Sequence, residues 1–183
     1  MKLGDTQLDE TDRRILAQLQ EDCKVPLAHV GKRVGLSAPS VMERIRRLEE
    51  AGIVTGYCAL VDSRRVGLDV TAFIGISMTP TAIDRFESQL EHVDEVLECH
   101  HVTGAYTMLL KVKTQNTQTL ERLISRLRLM DGVLRSETLV VLSTRMERTQ
   151  LSLGIHADDP LPAKRANGSN HKDSKVNAES EGE

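Results

Sequence analysis

Five basic side chains between positions 31 and 48 give this sequence its most distinctive local chemistry. They are Lys32, Arg33, Arg44, Arg46 and Arg47. Guanidinium forks match guanine edges and phosphate oxygens, and lysine supplies a point charge for phosphate. The net charge of the whole chain is −3. A nucleic acid would therefore meet a local basic patch in a protein that is slightly acidic overall.

Short helical patterns joined by a tight turn must position these cations. A helix is predicted over residues 27–34, where apolar residues recur at helical spacing, and Gly35 provides a left-handed stop. Ser37 is the predicted N-cap of the next helix, over residues 38–51, which carries the three arginines. An earlier helix begins at Asp9, whose carboxylate suits a helix N-terminus. Together these patterns predict a helix–turn–helix whose last helix is basic.

The start of that last helix carries polar side chains that a recognition helix would bring first to bases or phosphate. Ser37 and Ser40 lie there, and the Ser37 hydroxyl or the helix N-terminus itself can bind phosphate. Glu43 can accept a hydrogen bond from a cytosine amino group, or it can pair with Arg46 or Arg47 one turn later. Spacing alone also permits a three-helix bundle with a solvated charged face, so both interpretations stay open at this point.

The hydrophobic period changes after these helices. Residues 53–57 predict a short hairpin wing, and residues 58–61 predict a strand that continues it. Beyond a polar hinge, four strands and two helices follow in the order βαββαβ, which is the ferredoxin-like split motif. The strands are predicted over residues 70–78, 96–102, 106–112 and 133–142, and the helices over residues 83–90 and 116–127. The last strand is apolar enough to be buried on both faces, which indicates a partner on the second side of the sheet.

The order of these segments resembles the Lrp/AsnC family of transcription regulators, also called feast/famine regulators. The matching runs span residues 8 to about 150 and are found at 8–16, 34–37, 44–49, 52–57, 98–104 and 109–110. In that family a winged helix–turn–helix binds DNA, and a βαββαβ domain forms dimers and then octamers. A free amino acid often binds between dimers. The resemblance implies an α+β regulator of transcription that binds double-stranded DNA as a homodimer or octamer and responds to a small metabolite.

The resemblance also implies an effector site at one loop and on the last strand. The residues concerned are Gly104, Ala105, Tyr106, Thr107, Ser136 and Thr138. Family members commonly have Gly-x-Tyr/Phe-Asp in this loop, and the aspartate can hold an α-ammonium group. Thr107 stands at that position here and cannot supply the charge, so Glu98 and Glu137 are the candidate replacements. Ordinary strand packing is an equally good explanation of Tyr106.

The patterns and the resemblance together predict how the chain is divided. Residues 1–60 are the expected winged helix–turn–helix domain, and residues 61–69 are the hinge. Residues 70–154 are the expected ferredoxin-like domain for oligomerisation and effector binding. The remainder, residues 155–183, loses its periodicity and gains Pro, Ser and charge, which is typical of a disordered tail.

Other kinds of chemistry find little support in the sequence. Cys23, Cys58 and Cys99 are odd in number and scattered, which favours a reducing cytoplasm over a disulfide scaffold. Cys99 and His101 share one face of a predicted strand, but two ligands do not complete a zinc site. We expect no membrane span, cofactor or enzymatic activity, because the sequence has no long apolar run and no catalytic motif. The alternative function is a metabolite-binding oligomer whose N-terminal helices serve protein contacts.

Overall fold

The computed structural model describes residues 8–155, which form two compact units. Of the described residues, the first unit contains 8–57 and 150–155, and the second unit is Cys58–Thr149. Within the described range, no helix has the length and apolar character needed to cross a bilayer. Residues 1–7 of the predicted first domain and residues 156–183 of the predicted tail lie outside the described residues.

The first unit is built from three helices: α1 (Glu10–Glu21), α2 (Leu27–Val34) and α3 (Ala38–Glu50). All three predicted helices are confirmed, because each has one apolar stripe that needs the other two for burial. Asp9 caps α1, and its side chain accepts a hydrogen bond from the Asp12 N–H at 2.7 Å. Ile15, Val30, Val41 and Ile45 form a buried apolar cluster at the centre of this unit.

The turn between α2 and α3 has the predicted geometry. Gly35 ends α2 in the left-handed region, with φ of 71°, where a side chain would be strained. Ser37 caps α3, and its hydroxyl oxygen accepts a hydrogen bond from the Ser40 N–H at 3.3 Å. The turn therefore fixes the point at which α3 begins, and with it the positions of the polar residues in its first turn.

The predicted hairpin wing over residues 53–57 and the strand over residues 58–61 are wrong. Both segments lie outside the helices and strands of the structure. The N–H groups of Ile53 and Val54 both donate to the Leu48 carbonyl, at 2.9 and 3.1 Å, so the chain turns tightly against the end of α3. Residues 58–61 are exposed, and a strand needs a paired neighbour that this short segment does not have.

The second unit has the predicted βαββαβ order and one four-stranded sheet. Its elements are β1 (Val70–Met78), α4 (Ile83–Leu90), β2 (Val96–His101), β3 (Met108–Thr114), α5 (Thr117–Arg128) and β4 (Val133–Val140). The strand order is β2-β3-β1-β4, and every neighbouring pair is antiparallel. The third strand begins at Met108, so Tyr106, which was expected to start it, lies in the preceding loop.

Only one face of this sheet packs against the helices. Alternate residues of β1, from Ala72 to Met78, are buried with Phe86 of α4 and Leu123 of α5. The other face carries Phe73, Gly75 and Ser77, and we call it the open face of the sheet. β4 is shorter than predicted and remains accessible along much of its length, with Leu139 53% exposed and Val140 48% exposed. Leu139 lies opposite Phe73 on the open face, so in a single chain β4 is not covered on that side.

Candidate nucleic-acid interface and effector loop

The outer face of α3 is an ordered array of charges. Arg46 donates to Glu43 across one turn, with Nη2 at 2.6 Å from Oε1, and it also pairs with Glu50. The Arg46 hydrogen bond lowers the pKa of the Glu43 carboxyl, and the same contact raises the pKa of Arg46. Of the two alternatives that the sequence left open for Glu43, the isolated protein adopts the ion pair.

Arg44 does not project from this face in the same way. Its Nη1 lies 2.7 Å from Asp9 Oδ2 and 2.7 Å from Asp12 Oδ1, both at the start of α1. The Asp12 side chain is only 5% exposed, so Arg44 supplies the positive charge that this buried carboxylate needs. Burial alone would raise the pKa of Asp9, but hydrogen bonds from the Asp12 N–H and from Arg44 lower it on balance. Arg44 thus ties α3 to α1.

Other cations of the predicted site are exposed. Arg47 lies on α3 and Lys32 in the last turn of α2, and both side chains are accessible. Within residues 8–155 we find no hydrogen bond or salt bridge from either side chain. Arg33 is exposed next to Lys32 in the same turn. Accessible positive charge is thus present both on α3, at Arg47, and in the last turn of α2, at Lys32 and Arg33.

The two serines at the start of α3 are already hydrogen-bonded to each other. Ser37 Oγ and Ser40 Oγ are 2.9 Å apart, and both residues are exposed. Because Ser37 caps the helix, its hydroxyl satisfies a backbone N–H that would otherwise remain free at the N-terminus. Ser40 keeps hydrogen-bonding capacity and projects from the first turn, where a nucleic-acid base would be reached first.

The loop between β2 and β3 is held against the end of β1 by backbone and side-chain hydrogen bonds. The Thr107 N–H donates to the Ile76 carbonyl at 2.8 Å, and the Met78 N–H donates to Thr107 Oγ1 at 3.3 Å. Ser77 Oγ donates to the Ala105 carbonyl at 3.2 Å. Gly104, with φ of 114°, provides the sharp bend that brings the loop back. The Thr107 hydroxyl therefore has a structural partner in the folded loop.

Tyr106 lies on the open face of the sheet, directly over Gly75. A Cβ atom at position 75 would lie 2.6 Å from carbon atoms of the Tyr106 ring, so only glycine leaves room for it. A hydrogen bond to Glu137 raises the pKa of the Tyr106 hydroxyl. Glu137 is opposite Gly75 in the β1–β4 register and also accepts a hydrogen bond from Arg135 at 3.2 Å. The aromatic ring and a half-buried carboxylate are thus brought together.

Ser136 and Thr138, the other predicted effector residues, point to the opposite side of the sheet. They are paired in register with Ile76 and Ile74, whose side chains lie in the helix-covered core. Adjacent strand residues alternate between faces, so Glu137 lies with Tyr106, whereas Ser136 and Thr138 do not. The structure therefore separates the predicted effector residues into a loop group and a β4 group on different faces.

Comparison with known proteins assigns these features to a family. Residues 8–49 match the model of an AsnC-type helix-turn-helix domain, and residues 71–151 match that of the Lrp/AsnC ligand binding domain. The transcriptional regulator FL11 of Pyrococcus horikoshii is 33% identical over 146 residues, which cover 80% of this chain and 97% of FL11. This chain belongs to the Lrp/AsnC family. Its members are named as transcription regulators, not as enzymes.

Solved Lrp/AsnC structures share the whole described fold. AsnC of E. coli is 32% identical and superposes with a TM-score of 0.74, covering 78% of this chain and 97% of AsnC. A regulator from Neisseria meningitidis, solved as a complex with L-methionine, is 31% identical with a TM-score of 0.77, covering 80% of this chain and 97% of that one. A feast or famine regulatory protein from M. tuberculosis was also solved with L-methionine.

Sequence reasoning missed two contacts in this Lrp/AsnC chain. It grouped Arg44 with the DNA-contacting arginines, although Asp9 and Asp12 engage it in the structure. The spacing of those aspartates could have predicted this contact. In an Asp-x-x-Asp sequence at a helix N-terminus, the second aspartate lies on an otherwise apolar face, where a buried carboxylate needs a positively charged partner. It named Glu137 without a position, and only strand register brings that residue to Tyr106.

Proposed function

We propose that this transcription regulator binds duplex DNA with the exposed side of α3, using Arg47, Lys32 and Arg33 as its principal cationic contacts. The observation that supports this choice is the difference between Arg44 and Arg47. Arg44 is engaged by two carboxylates of α1, whereas Arg47 is exposed. Ser40, at the N-terminal turn of α3, is the proposed polar contact to a base edge or phosphate, and Ser37 holds the helix end in place.

The remaining charged residues of α3 are assigned indirect or exchangeable roles. Arg46 binds phosphate or a guanine edge after it leaves Glu43 and Glu50, and Glu43 then becomes free to accept from a cytosine amino group. Exposed ion pairs of this kind contribute little stability, so exchanging one for a phosphate contact costs little. Arg44 acts mainly as a positioning residue that sets α3 against α1, with no direct DNA contact required.

The proposed DNA-binding form of the protein is an oligomer. One copy of α3 with a small basic patch supplies few phosphate contacts, so we propose a homodimer that presents two copies, and an octamer built from such dimers. Two recognition helices would meet half-sites separated by about one turn of duplex, roughly 34 Å, or a multiple of it. We place this activity in the cytoplasm, in line with the free cysteines.

The proposed effector is an amino acid or a closely related small molecule. Two related regulators were solved with L-methionine, which makes this class the first to test. The loop of residues 104–107 remains the proposed site, with Tyr106 and the neighbouring Glu137 available to a ligand's apolar and ammonium groups. Thr107 holds the loop in place, and we assign Ser136 and Thr138 to the adjoining side of β4.

A DNA-binding titration with matched arginine variants tests the assignment. We expect fluorescence anisotropy to show salt-dependent binding to DNA taken from upstream of the protein's own gene. Arg47→Ala should weaken it by about tenfold or more per dimer, without change in thermal stability. Arg44→Ala should lower the unfolding temperature, since it leaves buried Asp12 without its partner at a cost of about 1–3 kcal/mol.

Arg128→Ala provides the control, because Arg128 is an exposed arginine at the end of α5 in the second unit. It removes the same charge from the protein and should leave both DNA affinity and stability unchanged. Equal losses for Arg47→Ala and Arg128→Ala would mean that binding reflects total charge, not α3. Absence of any DNA binding at low salt, together with stabilisation by an amino acid, would favour the metabolite-binding oligomer.

A further inference from the structure

The chain returns to the DNA-binding unit after it has completed the sheet. The side-chain amide of Gln20, near the end of α1, forms two hydrogen bonds with the backbone of Leu151. Its Oε1 accepts from the Leu151 N–H at 2.6 Å, and its Nε2 donates to the Leu151 carbonyl at 3.1 Å. Gln150 Nε2 donates to the Gln20 carbonyl at 3.0 Å, and Arg13 Nη1 donates to the Leu153 carbonyl at 3.3 Å.

The same segment is held to the sheet immediately before this return. Lys111, on the open face of β3, lies with its Nζ 2.5 Å from Glu147 Oε1 and 3.0 Å from Glu98 Oε1. The lysine side chain is only 18% exposed, so the pair is better shielded from solvent than most surface ion pairs. Its hydrogen bond to Glu147 lowers the pKa of that carboxyl. Glu147 is therefore a defined attachment point on the sheet.

The free chain between these two attachments is very short. Only Arg148 and Thr149 separate Glu147, which is bound in the second unit, from Gln150, which is bound in the first. A short connection with both ends fixed transmits a displacement of one end to the other, whereas a long flexible one absorbs it. The earlier connection, from the first unit to the second, is longer. Five residues, 58–62, separate Tyr57 from Ser63, whose hydroxyl accepts a hydrogen bond from Lys113.

We propose that residues 147–153 form a strap, attached to β3 through Lys111 and to α1 through Gln20 and Arg13, which couples the state of the sheet to the order of the DNA-binding unit. The effect reaches α3 because the same helix α1 holds Arg44 through Asp9 and Asp12. The strap has an attached and a detached state. A change that favours one state at either end of the strap shifts the population of that state at the other end. A ligand or partner that competes for Lys111 would loosen α1.

Hydrogen exchange on the full-length protein tests the strap without reference to DNA. Glu147→Gln removes the charge at the sheet end, and Glu98→Gln is the matched control, because it removes the other carboxylate of Lys111 but leaves the strap intact. We expect Glu147→Gln to speed exchange in α1 by about threefold to tenfold, the size of losing one or two weak hydrogen bonds. The control should leave α1 unchanged.

A second substitution detaches the other end. Gln20→Ala leaves the helix propensity of α1 no worse, so faster trypsin cleavage after Arg148 would report the strap and not a frayed helix. We expect Gln20→Ala and Glu147→Gln each to speed this cleavage by about threefold or more, with the double variant no faster than the faster single one. Exchange in α1 that does not respond to Glu147→Gln, or fully additive cleavage rates, would overturn the proposal.

The functional consequence rests on the proposed DNA binding and is measured separately. Detaching the strap should weaken DNA binding by about twofold to tenfold, because α1 and α3 must then be ordered on binding. Glu98→Gln should bind as the wild type does. If the wild type binds no DNA, the proposed function fails, while the exchange measurement still decides whether the strap exists. If DNA binds but Glu147→Gln and wild-type affinities coincide, the coupling to DNA binding is overturned.

Discussion

Each of the two tyrosines in this chain has its hydroxyl near a carboxylate, and each lies in a segment that lacks regular secondary structure. Tyr57 OH lies 2.7 Å from Glu49 Oε1, which ties the segment after α3 back to that helix. Tyr106 pairs with Glu137 across Gly75. Tyr57 thus holds the segment after α3 with one hydrogen bond, and the Tyr106 ring holds its loop by lying over Gly75.

The chain has two tyrosines and no tryptophan, so the near-ultraviolet absorbance of tyrosinate can be followed without overlap. Partial burial, and then the Glu49 hydrogen bond, raise the pKa of Tyr57 to about 12. We expect Tyr106→Phe to leave one transition near that pH, and Tyr106→Phe with Glu49→Gln to move it toward the ordinary value of about 10. The control is Glu50→Gln, which removes a neighbouring carboxylate that does not accept from Tyr57.

The sign of the stability effect follows from the same raised pKa. The protonated phenol is favoured in the folded unit, so Tyr57 contributes fully below the unfolded pKa of about 10. The contribution is lost as the pH rises toward about 12. The unfolding temperature of the wild type should therefore fall more steeply across this pH window than the unfolding temperature of Tyr57→Phe. Parallel curves for the two proteins would contradict the assigned contact.

Strand β1 and the loop between β2 and β3 fit against each other because Gly75 of β1 has no side chain. Gly75 sits in the middle of a strand, where glycine normally costs stability. Here its absent Cβ makes room for the Tyr106 ring, and the hydrogen bonds of Thr107 hold the loop in that position. The proposed effector loop is therefore held directly over a central strand of the sheet.

Gly75→Ala should displace this loop. The new Cβ would lie 2.6 Å from the Tyr106 ring, so the ring must move and lose Glu137, at a cost of about 1–3 kcal/mol in chemical denaturation. Removing the ring with Tyr106→Ala should make Gly75→Ala nearly neutral. Gly56→Ala is the control, since a Cβ there meets no atom within 4 Å. A cost for Gly75→Ala that persists in the Tyr106→Ala background would contradict the packing argument.

The elements themselves were largely predictable from the sequence, and the exceptions have a common physical cause. The bounds predicted for residues 27–34, 70–78 and 83–90 are those of α2, β1 and α4. Each has an apolar face of definite period and a cap or breaker at its ends. The wing at residues 53–57 failed because a hairpin depends on cross-strand partners, which a single sequence does not reveal. The Glu137–Tyr106 contact was hidden for the same reason, since it depends on register.

The distribution of exposed apolar side chains over the molecule argues for assembly. Leu139 faces the same side of the sheet as Phe73, its partner in the β1–β4 register, and Leu142 just beyond the strand is 93% exposed. Apolar residues clustered along an edge strand invite pairing with another chain. The sequence interpretation that a partner covers this side follows from composition, and the structure specifies which residues such a partner would meet.

Leu139→Lys should therefore disrupt the proposed homodimer. A lysine charge placed in an apolar interface without a partner costs several kcal/mol, so the dimer dissociation constant should rise by about a hundredfold or more. Analytical ultracentrifugation gives the mass, and Leu129→Lys is the control, because Leu129 is 87% exposed at the end of α5 on the helical side. The control should remain at least dimeric. An unchanged mass for Leu139→Lys, or equal dissociation of both variants, would place the interface elsewhere.

The monomeric variant should also lose most of its DNA affinity while α3 stays intact, since one small basic patch holds few phosphates and the second copy supplies the rest.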